Sequence, residues 1–405
     1  MNRGFYIILI AQFLSALADN ALLFAAIALL KELSAPDWHV PLLQQFFIFS
    51  YIALAPFVGS FADALPKGRV MFIANAIKIL GCLAMLLGMQ PLYAYAIVGL
   101  GAAAYSPAKY GILTECLPPA LLVKANSWME GATVAAIVLG AILGGLLISP
   151  TLMGKTLSGW HAPAWLTVPH AAIVVILLLY LGAAWFNLYI PRLPIDHKVP
   201  RKSPFFLLHD FWHALKLLWR DPLGQVSLAV TTLFWGVGAT LRLVVLAWAA
   251  FNLKFDLAQA TQLTAMVAVG IAAGAMVAGK WVKLEDSVKV LPAGIALGLI
   301  VITLIFVTDW RLAMVIMFLV GALSGYFVVP LNALLQHRGH LLMGAGHSIA
   351  IQNFNENIGI LLLLGAYSFM VGHGVHIHWV IVTFGLFISA AMTLIWRRHR
   401  DDEVH

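Results

Sequence analysis

Charge is what this sequence has least of: Asp, Glu, Lys and Arg together make up 10% of its 405 residues, whereas 62% are hydrophobic. So little polar surface cannot coat a soluble globule, so most of the chain must be solvated by lipid. Acid is scarcer than base, 17 residues against 24, for a net charge of +7. Cysteine is nearly absent. Cys82 and Cys116 fall within or at the end of predicted helices, without CxxC or metal-ligand spacing, which excludes a disulfide framework or a zinc site and leaves packing as their role. The sequence also lacks HxxxxD, GxSxG or any suitably placed nucleophile, so a membrane-bound acyltransferase, and an enzyme generally, is not expected. No cofactor is expected either.

Apolar runs fill the chain instead. A bilayer core of roughly 30 Å needs about 20 apolar helical residues per span, and hydropathy with its breakers places such helices at about 5–31, 42–64, 69–89, 92–116, 123–149 and 165–190. A second set follows at about 223–251, 258–283, 288–307, 310–336, 343–371 and 376–397. The Met1-Asn2-Arg3 head superficially resembles a secretory signal. The run behind it is too long and lacks a small-residue cleavage site, so it reads as the first span.

With the N-terminus in the cytoplasm, seventeen Lys and Arg residues, among them Arg3, Lys67, Arg69, Lys124, Lys280, Arg338 and Arg397, fall on that side. Only Lys31, Lys155, Lys254 and Arg311 fall outside. That bias predicts both termini in the cytoplasm, and it accounts for the basic charge without nucleic acid.

Three segments follow: a six-helix bundle over 1–190, a cytoplasmic linker over 191–221 and a second six-helix bundle over 222–405. In the linker, Ser203-Pro204 marks a helix start, and Phe205, Leu208, Trp212, Leu215 and Trp219 recur at helical spacing opposite His209, Asp210, His213, Lys216 and Arg220. With basic Arg201 and Lys202 ahead of it, this predicts an amphipathic helix on the inner leaflet; docking onto the protein itself is the alternative. GAAAYSPAKYGILTE from Gly101 aligns with GALSGYFVVPLNALLQ from Gly321, pairing Pro107 with Pro330, which indicates a tandem repeat.

Between the second and third spans stands Gly59-Ser-Phe-Ala-Asp63-Ala-Leu-Pro-Lys-Gly68-Arg69. It resembles the loop signature of the major facilitator superfamily. Gly59 would let helices approach, Gly68 would allow a tight turn, and Asp63 would pair with basic groups or a helix end at a cytoplasmic gate, with Glu115 as a further latch partner. The equivalent second loop, GKWVKLEDSVKV from Gly279, lacks the Asp at that offset and the final Gly-Arg, so a gate of this type is expected only in the first half. The fold expected is therefore an all-α major facilitator fold of about 12 transmembrane helices in two six-helix parallel-repeat halves, with a substrate cavity between them.

Six ionisable residues remain inside predicted spans: Asp19, Lys78, Lys109, Glu130, Arg242 and Glu356. Each costs roughly 2.5–3.5 kcal/mol at a helix centre on insertion scales, so each needs a partner or a wet cavity. Asp19 lies about 21 Å along its helix at roughly 1.5 Å per residue, too deep for a short carboxylate to reach the interface. Glu356 sits in Gln352-Asn-Phe-Asn355-Glu356-Asn, which is too polar to face lipid all round. Lys109 follows the helix-loosening Pro107 but is about 12 Å from the helix end by the same rise, within snorkelling reach. Arg242 offers a planar donor fork suited to phosphate. Lys78 reads as structural, on a helix outside the cavity lining, and Glu130 as a partner for Lys109 or Lys78. His373, His376 and His378 have no carboxylate or Cys beside them and are not read as a metal site.

Ser106-Pro-Ala-Lys-Tyr-Gly-Ile-Leu-Thr-Glu115, with Gln12-Phe-Leu-Ser-Ala-Leu-Ala-Asp19-Asn20-Ala-Leu22 and Val329-Pro-Leu-Asn-Ala-Leu-Leu-Gln336, closely resembles the bacterial lysophospholipid transporter family, over all twelve spans. The resemblance implies import of lysophosphatidylethanolamine and lysophosphatidylglycerol from the outer to the inner leaflet of the inner membrane. There an acyltransferase paired with an acyl carrier protein synthetase would reacylate them, expected here on a separate polypeptide. The stretch Pro150 to Trp165, with Lys155, Gly159 and His161, is longer than the family's outer loop.

A glycerophosphoethanolamine head carries phosphate and ammonium, which Arg242 and Lys109 against Asp19 and Glu356 would match. The expected substrate-binding set is Asp19, Asn20, Lys109, Arg242, Gln352, Asn355 and Glu356. Gly140, Gly144, Gly145, Gly270 and Gly274 would either open gaps for the acyl chain or pack helices tightly. The competing function is a proton-coupled drug or amphiphile efflux pump, in which an intramembrane Asp carries the proton.

Overall fold

The computed structural model describes residues 3–36, 39–159, 163, 166–191, 203–255 and 257–404. Arg192, Lys198, Arg201 and Lys202 of the linker, and His161 and Trp165 of the outer loop, lie outside them. No strand occurs among the described residues.

The long helices are α1 (Arg3–Glu32), α2 (His39–Ala64), α3 (Lys67–Leu86), α4 (Pro91–Cys116), α5 (Leu122–Leu147) and α6 (Val168–Leu188), with a short helical turn at Lys155–Gly159 before α6, then α7 (Pro204–Arg220) in the linker. After it come α8 (Pro222–Trp248), α9 (Leu257–Trp281), α10 (Leu291–Thr303), α11 (Trp310–Leu342), α12 (Ala345–Gly372) and α13 (Ile377–Val404). Eleven segments among the described residues are long and apolar enough to cross a bilayer. α4 carries Ser106, Lys109, Thr114 and Glu115 along its second half and completes twelve, so the protein is a multi-pass membrane protein.

Breakers and caps set the boundaries. Pro66 precedes α3, and Pro222 opens α8 behind Asp221, whose side chain accepts from Gly224 N at 2.8 Å. The tenth span runs to Leu342, beyond its expected end, whereas the helix proper of the ninth is shortened to Leu291–Thr303 by 3-10 turns on both sides.

Two compact units are drawn from the described residues of Met1–Cys116, Ala135–Phe211 and Gly344–Ala350, and of Leu117–Val134, Trp212–Met343 and Ile351–His405. In the first, α1 packs on α6 and α4 on α2 and α3. Buried Ala18, Ala21, Leu22 and Ala25 meet Cys82, Ile173, Ile176 and Tyr180. In the second, α9 packs on α11 so closely that a Cβ at Gly270 or Gly274 would overlap the backbone of Phe318 or Ala322. Gly140 and Gly144 serve the same purpose against Asn20 and Phe24 of α1, so at these four positions small size brings helices together. Gly145 alone of the five faces open space.

In α7, Phe211, Ala214, Leu215 and Leu218 are buried, while Phe205, Leu208 and Trp212 remain exposed. The helix therefore docks on the protein through a stripe displaced from the expected apolar face, and a second apolar stripe stays uncovered.

Candidate functional site

Within the first unit, α1 and α3 bring Asp19 and Lys78 together. Lys78 Nζ donates to Asp19 Oδ2 at 2.8 Å and to Ser15 Oγ at 3.0 Å. The Tyr180 hydroxyl of α6 donates to Asp19 Oδ1 at 2.6 Å, and Ser15 Oγ donates to Asn75 Oδ1 at 2.8 Å. Lys78 is 1% exposed, whereas the Asp19 side chain is 23% exposed. The carboxylate is thus the more open member of the pair, and the ammonium sits behind it. Lys78 Nζ also lies 4.9 Å from the centre of the Tyr105 ring, which softens its loss of water.

A cavity of about 60 Å³ is lined by Gln12, Ser15, Ala16, Asp19, Tyr51, Lys78, Ala102, Tyr105, Ser106 and Lys109. Lys78 is therefore part of the lining and not a structural charge set apart from it. Asn20 is not among the lining residues. Its amide donates to Ala16 O at 2.8 Å, and its Cβ faces Gly140 of α5. Two of the three charged side chains here, Asp19 and Lys109, were expected from the sequence. Tyr180, Ser15 and Asn75 were not: a Tyr, a Ser and an Asn in apolar helices carry no signal until packing places them beside a charge.

The expected gate residues meet in the same unit. Asp63 ends α2 and accepts four hydrogen bonds, from Gly346 N at 2.8 Å, His347 N at 3.0 Å, His347 Nδ1 at 2.8 Å and Lys67 Nζ at 2.7 Å. It caps the N-terminus of α12, where the unpaired N–H groups and helix dipole favour a carboxylate. Gly344, at φ 104°, makes the turn that launches that helix. Lys67 also lies 3.2 Å from Glu115 Oε1, so Asp63, Lys67 and Glu115 form a buried chain.

Gly59 allows the approach: a Cβ there would sit 2.9 Å from His347 Cα. Gly68 acts differently from expectation. It lies in the first turn of α3, and its missing Cβ makes room for Ile190, whose Cβ would be 2.9 Å from a Cβ built there. Arg69 is exposed, and Lys67, two residues before it, takes the buried cationic place. His347 and Lys67 were missed as gate residues; Lys67, one turn after Asp63 within the loop signature, was the readable clue.

In the second unit, Gln352 Nε2 donates to Asn332 Oδ1 at 2.8 Å and to Glu356 Oε1 at 2.7 Å, tying two expected site residues to α11. Asn355 points elsewhere, donating to Ile351 O and accepting from Trp219 Nε1 at 3.3 Å. Arg242 is exposed on α8, one turn after Gly238, beside which space is open. The offset that relates Pro107 to Pro330 also relates Lys109 to the neutral Asn332 and Asp19 to Arg242, so in the second of these pairs equivalent repeat positions carry opposite charges. Asn126 of α5 and Gln336 of α11 exchange amide hydrogen bonds at 2.9 and 2.8 Å. Arg338 pairs with Asp221 through both carboxylate oxygens. Burial raises the Asp221 pKa, but the Arg338 and Gly224 donors outweigh it and hold this carboxyl below its ordinary value.

His378 Nε2 lies 2.8 Å from Asn252 Oδ1, and the His376 and His378 rings meet edge to face. Among the described residues no group of three or more His, Cys, Asp or Glu side chains is placed to hold a metal ion.

The sequence profile of the Major Facilitator Superfamily matches residues 8–364. A protein of Klebsiella pneumoniae subsp. pneumoniae named lysophospholipid transporter LplT is 45% identical over 398 residues, covering 98% of this chain and 96% of that one. A protein of the same name from Escherichia coli O1:K1 is 43% identical over 402 residues, covering 98% and 97%. Among solved structures, the major facilitator transporter FucP in its outward conformation superposes with a TM-score of 0.77 at 13% identity, covering 98% of both chains, which shows a shared fold. With near full-length identity of this order, the chain belongs to the lysophospholipid transporter family of the major facilitator superfamily.

Proposed function

We propose that this protein carries lysophosphatidylethanolamine and lysophosphatidylglycerol from the outer to the inner leaflet of the bacterial inner membrane by alternating access. One observation supports the head-group assignment: Asp19, Lys78 and Lys109 line a single cavity. The ammonium of lysophosphatidylethanolamine takes Asp19 and releases Lys78 toward the phosphate, so each charge of that guest replaces one of the pair it separates, whereas lysophosphatidylglycerol offers the phosphate to the lysines and only hydroxyls to Asp19. At about 60 Å³ the cavity admits a polar end group but not a whole glycerophospho head, so it widens during transport. Arg242, Gln352 and Glu356 are assigned to substrate contact on their chemistry, whereas the bonds of Asn20 to Ala16 and of Asn355 to Ile351 and Trp219 leave those two out of the set.

The gate consists of Gly59, Asp63, Gly68, Arg69 and Glu115 with Lys67. Opening toward the cytoplasm requires Asp63 to leave the α12 N-terminus in the first unit and Asn126 to leave Gln336 in the second. Both termini are assigned to the cytoplasm, a reading supported by an even number of spans and by the basic loops. There a separate acyltransferase and acyl carrier protein synthetase consume the product.

Spheroplasts lacking their own transporter test this reading. Labelled lysophosphatidylethanolamine added outside should gain a second acyl chain only when the protein is present. If the label stays unacylated while cationic dyes are expelled, the efflux reading replaces this one.

A further inference from the structure

We propose that the linker helix α7 is a third arm of the gate, latched by Asp210 onto His347 and released when His347 loses a proton. The inference rests on the gate assignment above and adds a residue and a control to it. His347 sits in the first turn of α12 with its ring between two carboxylates: Nδ1 is 2.8 Å from Asp63 Oδ2, and Nε2 is 3.3 Å from Asp210 Oδ2. Nε2 also lies 3.0 Å from Ser60 Oγ.

The proton positions follow from what each partner can do. An ionised carboxylate only accepts, so Nδ1 carries a hydrogen for Asp63 in either state of the ring. The variable site is Nε2. When it is bare it accepts from the Ser60 hydroxyl, and its lone pair faces the Asp210 carboxylate unfavourably. When it is protonated it donates to Asp210, and the charged ring bridges both carboxylates. Asp210 thus reads the protonation state of Nε2, while Asp63 keeps its bond throughout.

The groups around the ring favour such a device. Asp63 comes from α2, Lys67 from α3, Glu115 from α4 through Lys67, and Asp210 from α7. Two carboxylates, Asp63 and Asp210, touch the ring from opposite sides, and Glu115 reaches it only through Lys67. The His347 side chain is 10% exposed while that of Asp210 is 37% exposed, so the latch partner borders water from which protons exchange. Neighbouring Phe211 is 2% exposed and seats α7 whether or not the ion pair forms.

The test is the rate of lysophosphatidylethanolamine flipping in proteoliposomes as the pH on the α7 side is stepped from about 8 to about 6, the range in which histidine changes charge. The wild type should slow severalfold at low pH as the latch closes. Asp210→Asn should flip at similar rates at both pH values, and Asp210→Glu should restore the decline. Ser60→Ala, which removes the partner of the bare nitrogen, should move the decline to higher pH. A wild-type decline retained in Asp210→Asn overturns the latch, as does a flat wild-type profile. Should Asp210→Asn fail to fold, an unmoved profile in Ser60→Ala overturns it instead. Absence of flipping at every pH would count against the lysolipid reading and not against the latch alone.

Discussion

Lys78 Nζ lies 2.8 Å from Asp19 Oδ2, with the lysine sealed from solvent and the aspartate open on one side. The pair explains why two charges persist deep in apolar helices: each neutralises the other, and Tyr180 and Ser15 fill remaining hydrogen-bond positions. It also makes Asp19 the side from which a guest can compete.

Asp19→Ala and Lys78→Ala should each destabilise the detergent-solubilised protein, because either leaves an uncompensated charge. Fully buried pairs lose about 3–5 kcal/mol on such breakage, and the partial exposure of Asp19 makes its share smaller. The double variant should melt above Asp19→Ala, since no orphan ammonium remains. Strictly additive losses in the melting temperatures would show that the pair is not coupled.

Gly346→Ala should weaken the gate. Its Cβ would lie 2.6 Å from Asp63 Oδ1 and 2.8 Å from Gly59 O, so the α12 N-terminus must shift, at a cost of about 1–3 kcal/mol. Gly365→Ala, on the same helix with nothing within 4 Å, is the control and should leave the melting temperature unchanged. Equal melting temperatures for the two variants would refute the close approach.

The Asp221 carboxyl, held below its ordinary value in the folded state, contributes stability that is complete above its unfolded pKa of about 3.9 and is lost as pH falls through the lower folded value. Arg338→Gln should therefore be less stable than the wild type at neutral pH, with the difference narrowing in acid. Thermal melts at pH about 7 and about 3 check this. A gap that widens in acid has the wrong sign.

Asn126→Ala should leave the amide of Gln336 without its partner, at about 1–3 kcal/mol, while Asn126→Leu with Gln336→Leu should recover much of the loss. Melting curves of the three variants decide it. A double variant worse than the single would mean the amides are needed for more than pairing.

The spans were legible because each bilayer crossing demands about 20 apolar residues, and no other arrangement accommodates so hydrophobic a chain. Asp19 was legible by depth alone. The placement of its neighbour Asn20 was not, because a side-chain bond to Ala16 O and close packing of its Cβ on Gly140 are fixed by packing and not by position along the helix. Lys78 was misjudged because periodicity gives a face, not the neighbour that face will meet. His347 reaches Asp63 across 284 positions, a distance over which no local pattern speaks. In α7 two apolar stripes compete, and only packing decides that Phe211 and Leu218 go inward.

Flipping of lysophosphatidylethanolamine by Asp19→Asn, measured beside the wild type at equal amounts in proteoliposomes, probes the head-group site most directly. An initial rate lower by about tenfold or more, equivalent to at least about 1.4 kcal/mol of lost interaction, is expected. A rate equal to wild type would contradict the assignment of the substrate ammonium to Asp19.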